Sequence, residues 1–185
     1  MQYRDVFLDF IGDAALFERC CRDACVDDPG PRSLSGAERL AVWLYSSADP
    51  QWAARINDAL WDGKSDETIR AVEILLNAAL QKLKPVRGLV CRGFQEPDLD
   101  DLLPEYAVGV QVRWFEFASA AIDPAAAGEG NVLFVVSSRT ARLLGAYAED
   151  PDAGEVVFPS GSVFRVRAVE RRQEAAVIEL EEVTA

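Results

Sequence analysis

The sequence predicts an α+β domain, with helices first and strands second, and two observations carry that prediction. Up to Pro85 the apolar residues recur every three or four positions, the period of a helix with one buried face. After Pro85 they alternate or form short unbroken runs, the patterns of half-covered and fully covered strands. Elements segregated in this way imply helices packed on an antiparallel-rich sheet. No internal repeat or low-complexity tract interrupts the order.

The helical half divides at its turn signals. Residues 3–26 place Val6, Phe7, Phe10, Ile11 and Phe17 at the spacing of one helix. Asp-Asp-Pro-Gly-Pro (27–31) stops it. Ser35 suits the N-cap of a second helix, whose apolar face is Ala37, Leu40, Ala41, Leu44 and Tyr45. Asp49-Pro50 ends that helix and starts a third, with Trp52, Ile56 and Leu60 inward and Gly63 at its C-terminal stop. Ser65 is the expected cap of a fourth, in which Ile69, Val72, Leu76, Ala79, Leu80 and Leu83 share a face. Lys82, Lys84 and Pro85 mark its end.

In the second half, residues 108–114 set Val108, Val110, Val112 and Trp114 on one side and Gly109, Gln111 and Arg113 on the other. This predicts a half-buried strand. Asn131–Val136 is a continuous apolar run and predicts a strand covered on both faces. Thr140–Tyr147 reads as a short helical turn. Glu155–Phe158, Val163–Val169 and Ala175–Leu180 are further strands, with Pro-Ser-Gly (159–161) turning the chain between the first two.

Composition narrows the function. Half of the 185 residues are hydrophobic and 27% are charged, the balance of a water-soluble globular chain. No apolar run approaches the roughly 18 residues of a spanning helix. The N-terminus lacks the basic start and small-residue cleavage site of a signal peptide. That pattern fits a cytoplasmic protein or a secreted effector that acts in the cytosol of a target cell. Acidic residues exceed basic ones 31 to 19, for a net charge of −12, which argues against bulk nucleic-acid binding. With no histidine, Ser–His and Cys–His nucleophile pairs are excluded. Of the four cysteines, Cys20, Cys21 and Cys25 fall in one helical pattern and Cys91 in a strand, without the paired spacing of a zinc site, so no metal is expected.

Three polar residues stand out by context. Arg92 ends the apolar run Gly-Leu-Val-Cys-Arg-Gly (88–93), Ser119 follows an alternating strand with two aromatics (112–119), and Glu155 opens a strand. Taken singly, each has a structural explanation: an arginine that snorkels, a serine in a turn, a solvated glutamate. Together, a cation, a hydroxyl and a carboxylate at strand edges are the groups needed to hold a dinucleotide and break a glycosidic bond.

From Leu34 to the C-terminus the chain resembles the mono-ADP-ribosyltransferases of bacterial toxins, the arginine–serine–glutamate clade. Leu34–Tyr45 is similar to that family's first helix, and Arg55–Leu60 to its Ile-Asn-x-x-Leu segment. Leu75–Leu83 is similar to the helix before the arginine strand, Asn131–Val136 to the buried strand after the serine motif, and Glu155–Val166 to the glutamate strand and its return. The resemblance implies a catalytic domain at 34–185 with two small, mainly antiparallel sheets clasping NAD beside a helical lobe. Residues 1–33 have no counterpart and read as a helical extension.

The resemblance also implies roles. Arg92 would hold the NAD phosphates, for which a guanidinium fork is suited. Gly93 would let the backbone approach the ligand. Ser119 would orient the catalytic carboxylate, and Phe134 would pack near the nicotinamide pocket. Glu155 would bind the ribose 2′-hydroxyl and stabilise the charge that develops as nicotinamide leaves. Two departures stand out. Ser119-Ala120-Ala121 replaces Ser-Thr-Ser, and Ala153 replaces the first glutamate of the Glu-x-Glu found in arginine-modifying members. Asp152 and Glu149, in the preceding loop, are the nearby carboxylates that could reach in to replace it. The implied activity is ADP-ribosyl transfer from NAD to a protein, with a cognate immunity protein as a further partner. NAD hydrolysis, or binding without catalysis, are the alternatives these departures leave open.

Overall fold

A computed structural model describes residues 3–24, 34–49 and 51–183. The fold is α+β, with six α-helices and eight strands among the described residues. The chain divides into two compact units: Met1–Lys84 with Leu144–Ala153, and Pro85–Leu143 with Gly154–Ala185. No helix among the described residues is long and apolar enough to cross a membrane.

The first unit is helical: α1 (Tyr3–Ile11), α2 (Ala14–Asp23), α3 (Gly36–Ser46), α4 (Gln51–Trp61) and α5 (Glu67–Lys82). The single helix expected over residues 3–26 is two. Gly12 takes a left-handed φ of 75°, and the Asp13 side chain accepts from the Leu16 N–H, so one helix ends and the next is capped within two residues. Cys25, the 27–31 stop and Pro50 lie outside the described residues. Ser35 does cap α3, in a reciprocal capping box with Glu38. The cap of α5 is Asp66, not Ser65: the carboxylate accepts from Ile69 N–H at 2.8 Å, whereas the Ser65 hydroxyl turns back to the Ala59 carbonyl. The predicted faces of α3 and α5 are buried, and Phe7, Phe10, Leu40, Leu44, Ile56, Leu76 and Leu80 are almost wholly removed from water. At about 1.5–3 kcal/mol for each large apolar side chain, this face is what holds helices of 9–16 residues that would be marginal alone. Leu60 is only partly covered.

The second unit contains β1 (Gly88–Phe94), α6 (Leu99–Leu102), β2 (Gln111–Trp114), β3 (Ala118–Ala121), β4 (Val132–Ser138), β5 (Arg142–Leu143), β6 (Glu155–Phe158), β7 (Ser162–Arg172) and β8 (Ala175–Glu182). They form one sheet in the order β2-β7-β8-β4-β1-β3-β6-β5. All pairings are antiparallel except β4 with β8. The two separate sheets expected from the resemblance are therefore joined. The joint is slight: β1 and β3 share the single partner pair Cys91–Ala121, where β1 and β4 share seven. A five-stranded half and a three-stranded half thus meet at one bridge, immediately before Arg92.

Other strands also differ from expectation. The strand read over 108–114 begins at Gln111, because Gly109 takes a φ of 91° and leaves Val108 and Val110 exposed. Ser119 belongs to its own short strand, β3, rather than to the end of that one. β4 is not covered on both faces. Val132, Phe134, Val136 and Ser138 are buried while the residues between them are half-buried, so its unbroken apolar run serves one full core and one partial one. Thr140–Tyr147 is not one helical turn but β5 followed by a 3-10 turn at Gly145–Tyr147. β6 has its predicted limits.

Candidate active site

Arg92, Ser119 and Glu155 lie on three neighbouring strands, β1, β3 and β6. Register brings them together although 27 and 36 residues separate them in sequence. Cys91 faces Ala121 across the bridge, and Ala121 faces Glu155. Ser119 sits two residues before Ala121 and so shares a strand face with it and with Glu155.

Hydrogen bonds link all three. Arg92 Nη1 donates to the main-chain carbonyl of Ser119 at 2.9 Å. The Ser119 hydroxyl donates to the Glu155 carboxylate. Ser119 therefore works twice, through its backbone to the cation and through its side chain to the anion. Arg92, Ser119 and Glu155 are each half-buried, so all three remain reachable from solvent. Burial pushes the Glu155 carboxyl above the ordinary carboxylate range, and the Ser119 hydrogen bond opposes that shift without cancelling it. Burial of a carboxyl whose orientation is fixed by a neighbour is a pattern that functional carboxylates share.

An aromatic cluster supports the cation. Phe134 faces Arg92 across the β1–β4 ladder. Trp114 lies 5.4 Å from Phe134 between ring centroids, and the Arg92 guanidinium carbon is 6.0 Å from the Trp114 ring, at the outer limit of cation–π attraction. Trp114 Nε1 donates to the Tyr106 hydroxyl at 3.0 Å, and the Tyr106 ring lies 5.2 Å from that of Phe134, tilted by 47°. Phe134 is only 4% exposed and packs among these rings beneath Arg92. Trp114 had a sequence signal, as the last inward residue of an alternating run. Tyr106 had none, because it sits in a short 3-10 turn, Leu103–Tyr106, with no periodicity to read.

Gly93 is also required by its own chain. A Cβ there would collide with the main-chain carbonyl of Gly128, and Gly93 N–H donates to the Ala127 carbonyl. The close approach is by the 124–128 loop, which packs on β1 next to Arg92. Glu149 is committed elsewhere. Its carboxylate accepts from the Ala48 N–H, and its own N–H donates to Ser46 Oγ at 3.0 Å, fastening it to the C-terminal end of α3. Asp152 is exposed, with its N–H held by the Asp150 carboxylate.

Comparison with known proteins places the chain in a family. Residues 15–185 match the family described as ART: NAD:arginine ADP-ribosyltransferase, and the chain belongs to that family of NAD-dependent transferases. The curated relative Mav of Mycobacterium avium (strain 104), named for NAD(+)–arginine ADP-ribosyltransferase activity, is 32% identical over 131 residues. That match covers 68% of this chain but only 16% of the relative's length. Exoenzyme S from Pseudomonas aeruginosa, solved with human 14-3-3 protein beta and carba-NAD, superposes with a TM-score of 0.76 at 19% identity. It covers 98% of this chain and 87% of its own. The ADP-ribosyltransferase HopU1 of Pseudomonas syringae pv. Tomato DC3000 gives a TM-score of 0.73 at 18% identity, over 97% and 87% of the two chains. At these identities the solved structures establish a shared fold.

Proposed function

We propose that this chain cleaves NAD at the bond between nicotinamide and ribose and transfers ADP-ribose to a protein acceptor. The observation that carries the reading is the hydrogen-bonded series Arg92–Ser119–Glu155 across β1, β3 and β6. A guanidinium has five N–H donors, so Arg92 can bond the Ser119 carbonyl and still present a fork to the NAD phosphates. Ser119 fixes the Glu155 carboxylate, which accepts from the ribose 2′-hydroxyl. As the C1′–N bond breaks, its electron pair leaves with nicotinamide, and the cationic sugar faces the fixed anion. A nucleophile then attacks C1′ and loses its proton. Charge stabilisation of this kind depends on a carboxylate already oriented before reaction, which the Ser119 hydroxyl supplies.

The acceptor distinguishes two outcomes of the same cleavage. The family description names arginine, but Ala153 stands where arginine-modifying members carry the first glutamate. That residue favours water as a competing acceptor. Incubating the protein with NAD labelled on the adenylate and a cell lysate separates them: label on protein is transfer, and free ADP-ribose alone is hydrolysis. Like the toxin-type members it resembles, the chain would act in the cytosol of a target cell. A cognate immunity protein is the further partner that the resemblance implies.

A further inference from the structure

The turn between β4 and β5 is a built frame outside the Arg92–Ser119–Glu155 series. Glu182, 3% exposed at the end of β8, accepts from the main-chain N–H of Arg139, from that of Thr140 at 2.8 Å, and from the Thr140 hydroxyl. Ser138, equally buried, donates to the Val86 carbonyl at 3.0 Å and accepts from the Ala141 N–H at 3.3 Å. Val86 N–H in turn donates to the Ala141 carbonyl at 2.8 Å, and Pro85 bridges Arg142. These bonds fasten residues 138–142 to Pro85 and Val86, next to Arg87.

The frame sets Arg87, Arg139 and Arg142 around one open cavity of about 640 Å³, together with Pro85 and Thr140. Three like charges held at one site repel one another, and in a chain of net charge −12 their grouping is not a by-product of a basic surface. Arg139 also pairs with Glu181 at 3.1 Å, an exposed contact that an incoming anion can replace. Arg87 lies five residues before Arg92 on the same extended segment, roughly 17 Å away at strand spacing, so the two cationic sites are distinct.

We propose that this cavity is a second anion site, which takes the phosphate groups of a small polyphosphate or nucleotide. Guanidinium forks pair phosphate oxygens bidentately, and adjacent phosphates offer enough acceptors for three of them, where a lone carboxylate offers two oxygens. At about 30 Å³ per water in the liquid, the cavity has room for far more than an ion. The test is calorimetric titration of the full chain with inorganic pyrophosphate and, separately, with ATP, at about 0.15 M salt. An Arg92→Lys variant serves as the background in which the NAD anchor is impaired. The expected result is saturable one-site binding that survives in Arg92→Lys and weakens at least about tenfold in Arg87→Ala and in Arg142→Ala. Tighter binding of ATP identifies a nucleotide, and equal binding identifies the phosphates alone; both support the site. Absence of saturable binding by either probe overturns it, as does binding that is lost in Arg92→Lys. Arg87 is exposed, so that variant tests the site without disturbing the core.

Discussion

Ser119→Ala removes a hydroxyl but leaves the main-chain carbonyl that accepts from Arg92 at 2.9 Å. The substitution therefore separates the two tasks of this residue. What is lost is one hydrogen bond to a charged acceptor, worth about 1.5–3 kcal/mol, or roughly 10- to 150-fold in rate if it is realised in the transition state. Because the Arg92 anchor is untouched, the fall belongs in kcat, with KM for NAD little changed. The pH profile supplies a second readout. Catalysis needs ionised Glu155, whose carboxyl is already raised by burial, and the Ser119 bond is the cause that lowers it. Without that bond the acid limb of the rate profile moves to higher pH. Nicotinamide release followed from acid to neutral pH measures both effects. A variant with normal kcat and raised KM, or with an unmoved acid limb, refutes the view that Ser119 acts by holding Glu155.

Two further perturbations test the supports of the site and fold. Gly93→Ala forces a Cβ against the Gly128 carbonyl, so the 124–128 loop must shift; a loss of about 1–3 kcal/mol in denaturant unfolding and weaker NAD binding are expected. Glu38→Gln breaks the bond to Lys82, 2.8 Å away, and weakens the α3 capping box, for about 2 kcal/mol at pH 7. Burial opposes ionisation of Glu38, but hydrogen bonds from Lys82 and Ser35 outweigh it and hold the carboxyl below its ordinary range. A lowered carboxyl stabilises the fold above its unfolded value of about 4.3 and loses that contribution as pH falls through the folded value. The gap between wild type and Glu38→Gln in thermal melts should therefore close in acid.

Much of this molecule was legible in its sequence because local rules agreed with the final packing. The faces of α3 and α5 followed from spacing, and Ser35 from capping chemistry. β6 was bounded by its glutamate and the Pro-Ser-Gly turn. What misled were places where local and long-range forces compete. Residues 3–23 carry one continuous apolar stripe, and only the backbone freedom of Gly12 with the cap at Asp13 divides it. The alternation of 108–114 was real as a pattern, yet Gly109 turned the chain before the first two valines could be covered. For the site, flanking context pointed to Arg92, Ser119 and Glu155. The link from Ser119 to Glu155 was implied by the resemblance, but the bond from Arg92 to the Ser119 carbonyl was not readable, because the Cys91–Ala121 bridge that joins β1 to β3 is a long-range pairing with no local signature. Phe134 illustrates the same limit: its burial beneath Arg92 depends on Tyr106 and Trp114, which lie far from it in sequence.

Glu155→Gln tests the central claim most directly. The amide keeps the shape of the side chain but removes the charge that would face the cationic ribose. Initial rates of nicotinamide release from NAD, wild type against variant, are expected to differ by at least about 10²–10³-fold. The same variant reports on folding. A carboxyl raised by burial lends its stability below about pH 4.3 and loses it as pH rises, so at pH 7 the amide variant should melt at or above the wild-type temperature. A well-folded Glu155→Gln protein that releases nicotinamide at a near-normal rate would contradict the account, because the carboxylate at the end of the Arg92–Ser119–Glu155 series would then have no part in breaking the bond.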